Sequence, residues 1–223
     1  MGFHRLTAVV AIASMALMLD LPAHAQTKKA PAAGAGAAAA ASAAAVVAAA
    51  SYAEQFKTVC AACHGADGRS DVAGVPVLAG NSSLYVITQL FLFREGRRKN
   101  EAMVAMAKPM KDADLRGFSD HIGTLAAVSA PTPSVPPDPA RMAKAKELAN
   151  QYKCTYCHGA DMAGGQQVPR IGGQKEDYLR QTLHDFKSGN RPGYTRAMSE
   201  ALSQVPVEDL DLLAFYAANI SGK

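Results

Sequence analysis

The chain has 223 residues, room for one domain or two small ones. Its 23 Lys and Arg stand against 19 Asp and Glu, a net charge of +4. With no basic run carrying interleaved aromatics, that mild balance argues against a nucleic-acid partner.

The first 25 residues read as a secretory signal. His4 and Arg5 give a basic start, Leu6 to Leu19 is an apolar run, and Ala23-His24-Ala25 supplies the small-x-small pattern, so cleavage is expected after Ala25. A retained membrane anchor is the other reading. A span needs about 20 apolar residues, and this run stops short at Asp20 and Pro22. Gln26 to Ala50 is nearly all alanine and carries few large apolar side chains, so it reads as a spacer. The folded part begins near Ser51.

Helical signals then recur in order. Tyr52 to Cys63 reads as a helix that ends in Cys60-Ala61-Ala62-Cys63-His64. Ser83 to Arg94 has Leu84, Ile87, Leu90 and Phe91 at helical spacing, and Lys111 to Ala127 follows an acidic start. Ser129 to Ala140 holds five prolines and reads as a semi-rigid connector over 129–140. Met142 to Cys157 is expected to be one helix delivering Cys154-Thr155-Tyr156-Cys157-His158. Glu176 to Lys187 and Val207 to Ile220 complete the second half. No period-two alternation runs long enough for a strand, so the expected class is all-α.

The two halves are copies of one unit. Setting Cys60 on Cys154, a shift of 94, lays Cys63-His64-Gly65-Ala66-Asp67 on Cys157-His158-Gly159-Ala160-Asp161. A shift of 93 lays Pro76 on Pro169, Gly80 on Gly173, Tyr85 on Tyr178, Phe93 on Phe186 and Arg98 on Arg191. A shift of 95 lays Met103 on Met198, Asp114 on Asp209 and Leu115 on Leu210. Two domains are therefore expected, 51–128 and 141–223, each too small to have much core of its own.

Four cysteines in a secreted chain would ordinarily suggest two disulfides. Here each C-x-x-C pair is followed directly by histidine, the attachment signature of c-type haem. One helical turn presents both thiols to the haem vinyl groups, and the adjacent imidazole lies against one ring face. A zinc site would need both pairs to converge on one ion, and a thioredoxin-like pair would want a βαβ setting. Two covalent haem c groups are expected, on Cys60 and Cys63 and on Cys154 and Cys157, with His64 and His158 as iron ligands.

The sixth ligand separates an electron carrier from an enzyme. After His158 the methionines are Met162 and Met198, and Met162 stands too near the motif to reach the opposite ring face, leaving Met198. In the first half Met103, Met106 and Met110 compete. The repeat favours Met103, which like Met198 stands 12 residues before a paired leucine, with Met106 next. The carbonyls of Pro76 and Pro169 are candidate acceptors for the outer imidazole nitrogens, and Arg98 and Arg191 candidate partners for the haem propionates. His121 aligns with Tyr216 and His184 with Phe91, so both read as surface or interface residues.

These motifs resemble class I cytochromes c. The resemblance rests on the C-x-x-C-H-G-x-D starts, the loops at Pro76 and Pro169, the Phe-Arg-Glu-Gly-Arg-Arg and Phe-Lys-Ser-Gly-Asn-Arg turns, and a methionine before a final acidic helix. In tandem they resemble the dihaem cytochrome c-four type over about 170 residues. The Ala-rich extension and Lys108-Pro109-Met110 depart from the pattern, the extension allowing peripheral membrane tethering. The resemblance implies two packed cytochrome c domains and a periplasmic electron carrier rather than an enzyme. It also implies a quinol-oxidising complex or dehydrogenase as donor and a terminal haem-copper oxidase as acceptor. A cytochrome subunit of a flavocytochrome sulfide dehydrogenase or an alcohol dehydrogenase would share every haem motif. A dihaem peroxidase would need an open iron.

Overall fold

The computed structural model describes residues 51–131, 136–191, 193 and 195–220. The expected secretory signal and Ala-rich spacer lie outside the described residues, as do the middle of the connector and the last three residues.

Among the described residues the chain is helical, with an isolated bridge between Gly165 and Val168 and no strand. The first half holds α1 (51–64), α2 (Ser83–Arg94), α3 (Glu101–Ala107) and α4 (Asp112–Gly123). The second holds α5 (Pro139–Gln151), α6 (Cys154–His158), α7 (Glu176–Ser188), α8 (Ala197–Ser203) and α9 (Val207–Asn219).

Local chemistry sets these boundaries. Ser82 caps α2 by accepting from the Tyr85 amide at 3.2 Å, and Asn100 caps α3 through the Met103 amide at 3.0 Å. Asp138 caps α5 through the Arg141 amide at 2.6 Å. Pro139, expected in the connector, is instead the first residue of that helix, where its missing N–H costs nothing. Glu208 and Asp209 put negative charge at the start of α9, favourable against the helix dipole.

The helix expected from Met142 to Cys157 is broken. Lys153 takes a left-handed φ of +54°, so α5 ends and α6 starts afresh at Cys154. In the first half the chain stays helical through the motif but widens its turn over Phe56–Cys60. Both devices re-aim the C-x-x-C turn relative to the helix before it. The short helices α3 and α8, which carry Met103 and Met198, have too few residues for a periodic signal.

In the first half α2 packs on α4 around Phe56, Val86, Leu90, Leu115, Phe118 and Ile122. In the second, α9 packs on α5 and α7 around Ala145, Ala149, Leu210, Leu213, Phe215 and Tyr216. The paired leucines Leu115 and Leu210 thus hold the same place in two separate cores.

The halves meet through contacts that cross in both directions. The side chain of Asn81 accepts from the Arg170 amide at 3.1 Å, and that of its repeat counterpart Gln174 accepts from the Val77 amide at 2.8 Å. Arg98 donates to Tyr178 at 2.9 Å, while Arg191 donates to Tyr85 at 3.3 Å. Beside them the Ala130 amide donates to the Gly173 carbonyl at 2.7 Å. Gly173 holds φ +67°, and a Cβ there would lie 2.5 Å from Ser129 Oγ. Asn81, Arg170, Gln174 and Arg191 are all buried.

Candidate haem sites

The end of α1 and the whole of α6 each place two cysteines one helical turn apart with histidine next in line. The inner thiols of Cys60 and Cys154 are half-buried, and those of Cys63 and Cys157 are exposed. All four are free of disulfides. Burial pushes the Cys60 thiol up to about 11 and raises Cys154 as well, so both stay protonated.

Both histidines are buried and oriented alike. His64 Nδ1 lies 3.1 Å from the Pro76 carbonyl, and His158 Nδ1 lies 3.0 Å from that of Pro169. A carbonyl only accepts, so Nδ1 carries the proton and the Nε2 lone pair is left for a metal. Burial lowers both imidazole pKa values, with the carbonyl bond opposing it in part. The neutral ligating form is therefore favoured. Behind each ring the loop is pinned to the motif. The Ser70 amide donates to the His64 carbonyl at 2.9 Å, and the Gly164 amide to that of His158 at 2.8 Å.

The methionines sort by environment. Met103 and Met110 pack against the first core and Met198 against the second, whereas Met106 is 41% exposed. Met162 is buried in the second core and follows the motif at a left-handed φ of +58°. Among the described residues no three His, Cys, Asp or Glu gather as a metal site, so the two C-x-x-C pairs do not converge on a shared ion. His121 packs edge-on against Phe56, with centroids 5.1 Å apart, and His184 pairs with Asp211 at 2.9 Å.

Arg98 and Arg191 each lie over a phenylalanine of their own half, Phe93 at 4.4 Å and Phe186 at 4.8 Å. Arg98 also donates to Gln89 at 2.7 Å. Arg191 donates to Thr182 at 2.9 Å and Tyr178 at 3.3 Å, and across the interface to Gln89 at 3.4 Å besides Tyr85. Among the described residues neither guanidinium pairs with a carboxylate, and Arg191 is only 7% exposed. Two cations held this way, with no carboxylate beside them among the described residues, call for anions. The carboxylates of a haem edge would supply that charge, so the residues fit the group. The positive field registers on Tyr178: burial raises its pKa, but Arg191 and Arg98 outweigh burial and bring it to about 7.

The family model for cytochrome c matches residues 49–126 and again 142–216. The chain belongs to the cytochrome c family, in its tandem c4 type. Cytochrome c4 from Thiocapsa roseopersicina is 32% identical over 176 residues, covering 73% of this chain and 88% of that protein. The thiosulfate dehydrogenase electron acceptor of Thiomonas intermedia (strain K12) is 34% identical over 143 residues, 60% of this chain and 65% of that protein. The crystal structure of reduced cytochrome c4 from Pseudomonas stutzeri superposes with a TM-score of 0.68 at 27% identity. It covers 77% of this chain and 98% of that one.

This cytochrome c is a dihaem electron carrier with two covalent haem c groups, one on each cysteine pair. When bound, haem iron supplies the one-electron ferric–ferrous couple. The protein's part is to hold, bury and orient it. Among the described residues no helix is long and apolar enough to cross a membrane.

Sequence reasoning did not reach Asn81, Gln174, Gln89 or Ser70. Asn81 aligns with Gln174 and Gln89 with Thr182, and polar substitutions inside a repeat carry no chemical signature. Tyr85 and Tyr178 were visible as a repeated pair, but their role lies across an interface that no linear spacing encodes.

Proposed function

We propose that this cytochrome c closes each iron between histidine and methionine, His64 with Met103 and His158 with Met198, and carries single electrons in the periplasm. The observation that carries this reading is the matched setting of the two histidines. Each is buried, each gives its Nδ1 proton to a proline carbonyl, and each keeps one lone pair for a metal. Met103 and Met198 support it, since each sits on a short helix against the core of its own half. A thioether ligand favours ferrous iron and raises the potential relative to bis-histidine ligation. Such a centre accepts electrons from a dehydrogenase and passes them to an oxidase.

The donor side reads as a periplasmic dehydrogenase. A relative named thiosulfate dehydrogenase electron acceptor makes a thiosulfate-oxidising enzyme the first to try. The acceptor reads as a terminal haem-copper oxidase. The test is stopped-flow mixing of the oxidised holoprotein with thiosulfate dehydrogenase and thiosulfate, then of the reduced holoprotein with oxidase-bearing membranes. Saturable transfer in both steps supports a freestanding shuttle. Transfer only from a co-purifying flavin- or quinone-bearing partner would make the protein a subunit of that complex instead.

A further inference from the structure

The carbonyl of Pro76 and the N–H of Val77 belong to one planar peptide unit, as do the carbonyl of Pro169 and the N–H of Arg170. Each unit is hydrogen-bonded at both ends. On one side the carbonyls receive His64 Nδ1 at 3.1 Å and His158 Nδ1 at 3.0 Å. On the other, the Val77 amide donates to Gln174 Oε1 at 2.8 Å and the Arg170 amide to Asn81 Oδ1 at 3.1 Å. Gln174 belongs to the second half and Asn81 to the first. Each chain of bonds therefore starts on an amide side chain in one domain and ends on the histidine of the other.

We propose that Gln174 and Asn81 are crossed positioning residues, each setting the basicity of the other domain's axial histidine through a single peptide unit. An acceptor on the amide N–H draws the peptide toward its charge-separated form and puts more negative charge on the carbonyl oxygen. Hydrogen bonds linked in this way strengthen one another by about 10–30% per bond. A stronger carbonyl acceptor pulls harder on the Nδ1 proton and makes Nε2 a better donor to iron. That favours the ferric state and lowers the potential.

Burial preserves the effect. Asn81 is 6% exposed and Gln174 5%, so water does not compete for either amide. The two arms differ. Gln174 also returns a bond from Nε2 to the Val77 carbonyl at 2.9 Å, gripping that residue from both sides. Asn81 spends its Nδ2 on Leu78, at 3.0 Å, within its own half. The first relay is thus held at more points, and its acceptor oxygen is also shared with the Lys175 amide at 3.0 Å.

The proposal rests on His64 and His158 being the iron ligands, and the test keeps the two claims apart. Redox titration of the holoprotein gives two one-electron waves. They are assigned with Met198→His, which moves the second centre's wave down. Gln174→Met removes the acceptor at similar length, and the first centre's potential is expected to rise while the second stays put. Asn81→Leu is expected to raise the second and spare the first.

In the ferrous protein the Nδ1 proton resonance of the corresponding histidine should move upfield, the sign of a weaker hydrogen bond. Shifts confined to the mutated residue's own domain, equal shifts in both centres, or no shift would overturn the relay. Absence of ligated-imidazole signals in the unmodified protein would instead defeat the ligand assignment.

Discussion

Tyr52 donates its hydroxyl to Asp114 Oδ1 at 3.0 Å, joining the start of α1 to α4 across 62 residues of chain. The ring stands edge-on to Phe118 with centroids 5.1 Å apart, in space left by the missing side chain of Gly117. This contact anchors the helix that delivers the first C-x-x-C-H turn. A Cβ at 117 would fall 2.1 Å from the Tyr52 ring. Gly117→Ala is therefore expected to destabilise the first domain by about 1–3 kcal/mol, the usual cost of overpacking. Denaturant unfolding followed at the first haem checks this, and an unchanged midpoint would contradict it.

Ser70 and Gly164 solve one problem in two ways. Both follow the motif in the left-handed region, Ser70 at φ +55° and Gly164 at φ +70°. Ser70 offsets the strain with a hydroxyl bond to the Cys63 carbonyl at 2.9 Å. Gly164 has no room for a side chain, because a Cβ would lie 2.4 Å from the Val168 carbonyl oxygen. Gly164→Ala should thus cost more than Ser70→Gly, in which the lost hydrogen bond, about 1 kcal/mol, is partly returned by relief of strain. Thermal unfolding of both holoproteins tests the order.

Arg191 ties the halves together with four hydrogen-bonded partners, two in each half. Arg191→Lys keeps the charge but loses the planar fork that reaches several acceptors at once. Both Arg191→Lys and Arg191→Ala should split one cooperative calorimetric transition into two. If Arg191→Lys still melts as a single unit, charge rather than geometry holds the interface.

Much of this was legible in the chain. The repeat announced two like domains and put both histidines, both prolines and both arginines, the latter read there as propionate partners, at matched positions. Ser83–Arg94 was readable to the residue from its apolar spacing, and the structure adds a Ser82 cap at its start. The break at Lys153 was not, because a left-handed lysine has no signature without its tertiary setting. The pairing of Gln174 with Val77 was hidden too. It forms between residues 97 apart, and neither residue type is unusual in its own segment.

The methionine assignments are separable by substitution. Met103→Leu should abolish thioether ligation at the first iron, and Met198→Leu at the second, each lowering its own potential and opening its iron to carbon monoxide. Met106→Leu should change neither, since Met106 is 41% exposed and Met103 packs against the first core. Carbon monoxide binding by the ferrous Met106→Leu protein would reverse that assignment.

The most direct test of two closed electron-transfer centres is the haem count of the purified holoprotein, together with the weak far-red band of thioether-bound ferric haem. Two haems per chain with the band at full strength for both irons is the expected result. One haem per chain, or two haems with the band at half strength, would contradict it. The second outcome would leave one iron open and give the protein a site for chemistry beyond electron transfer.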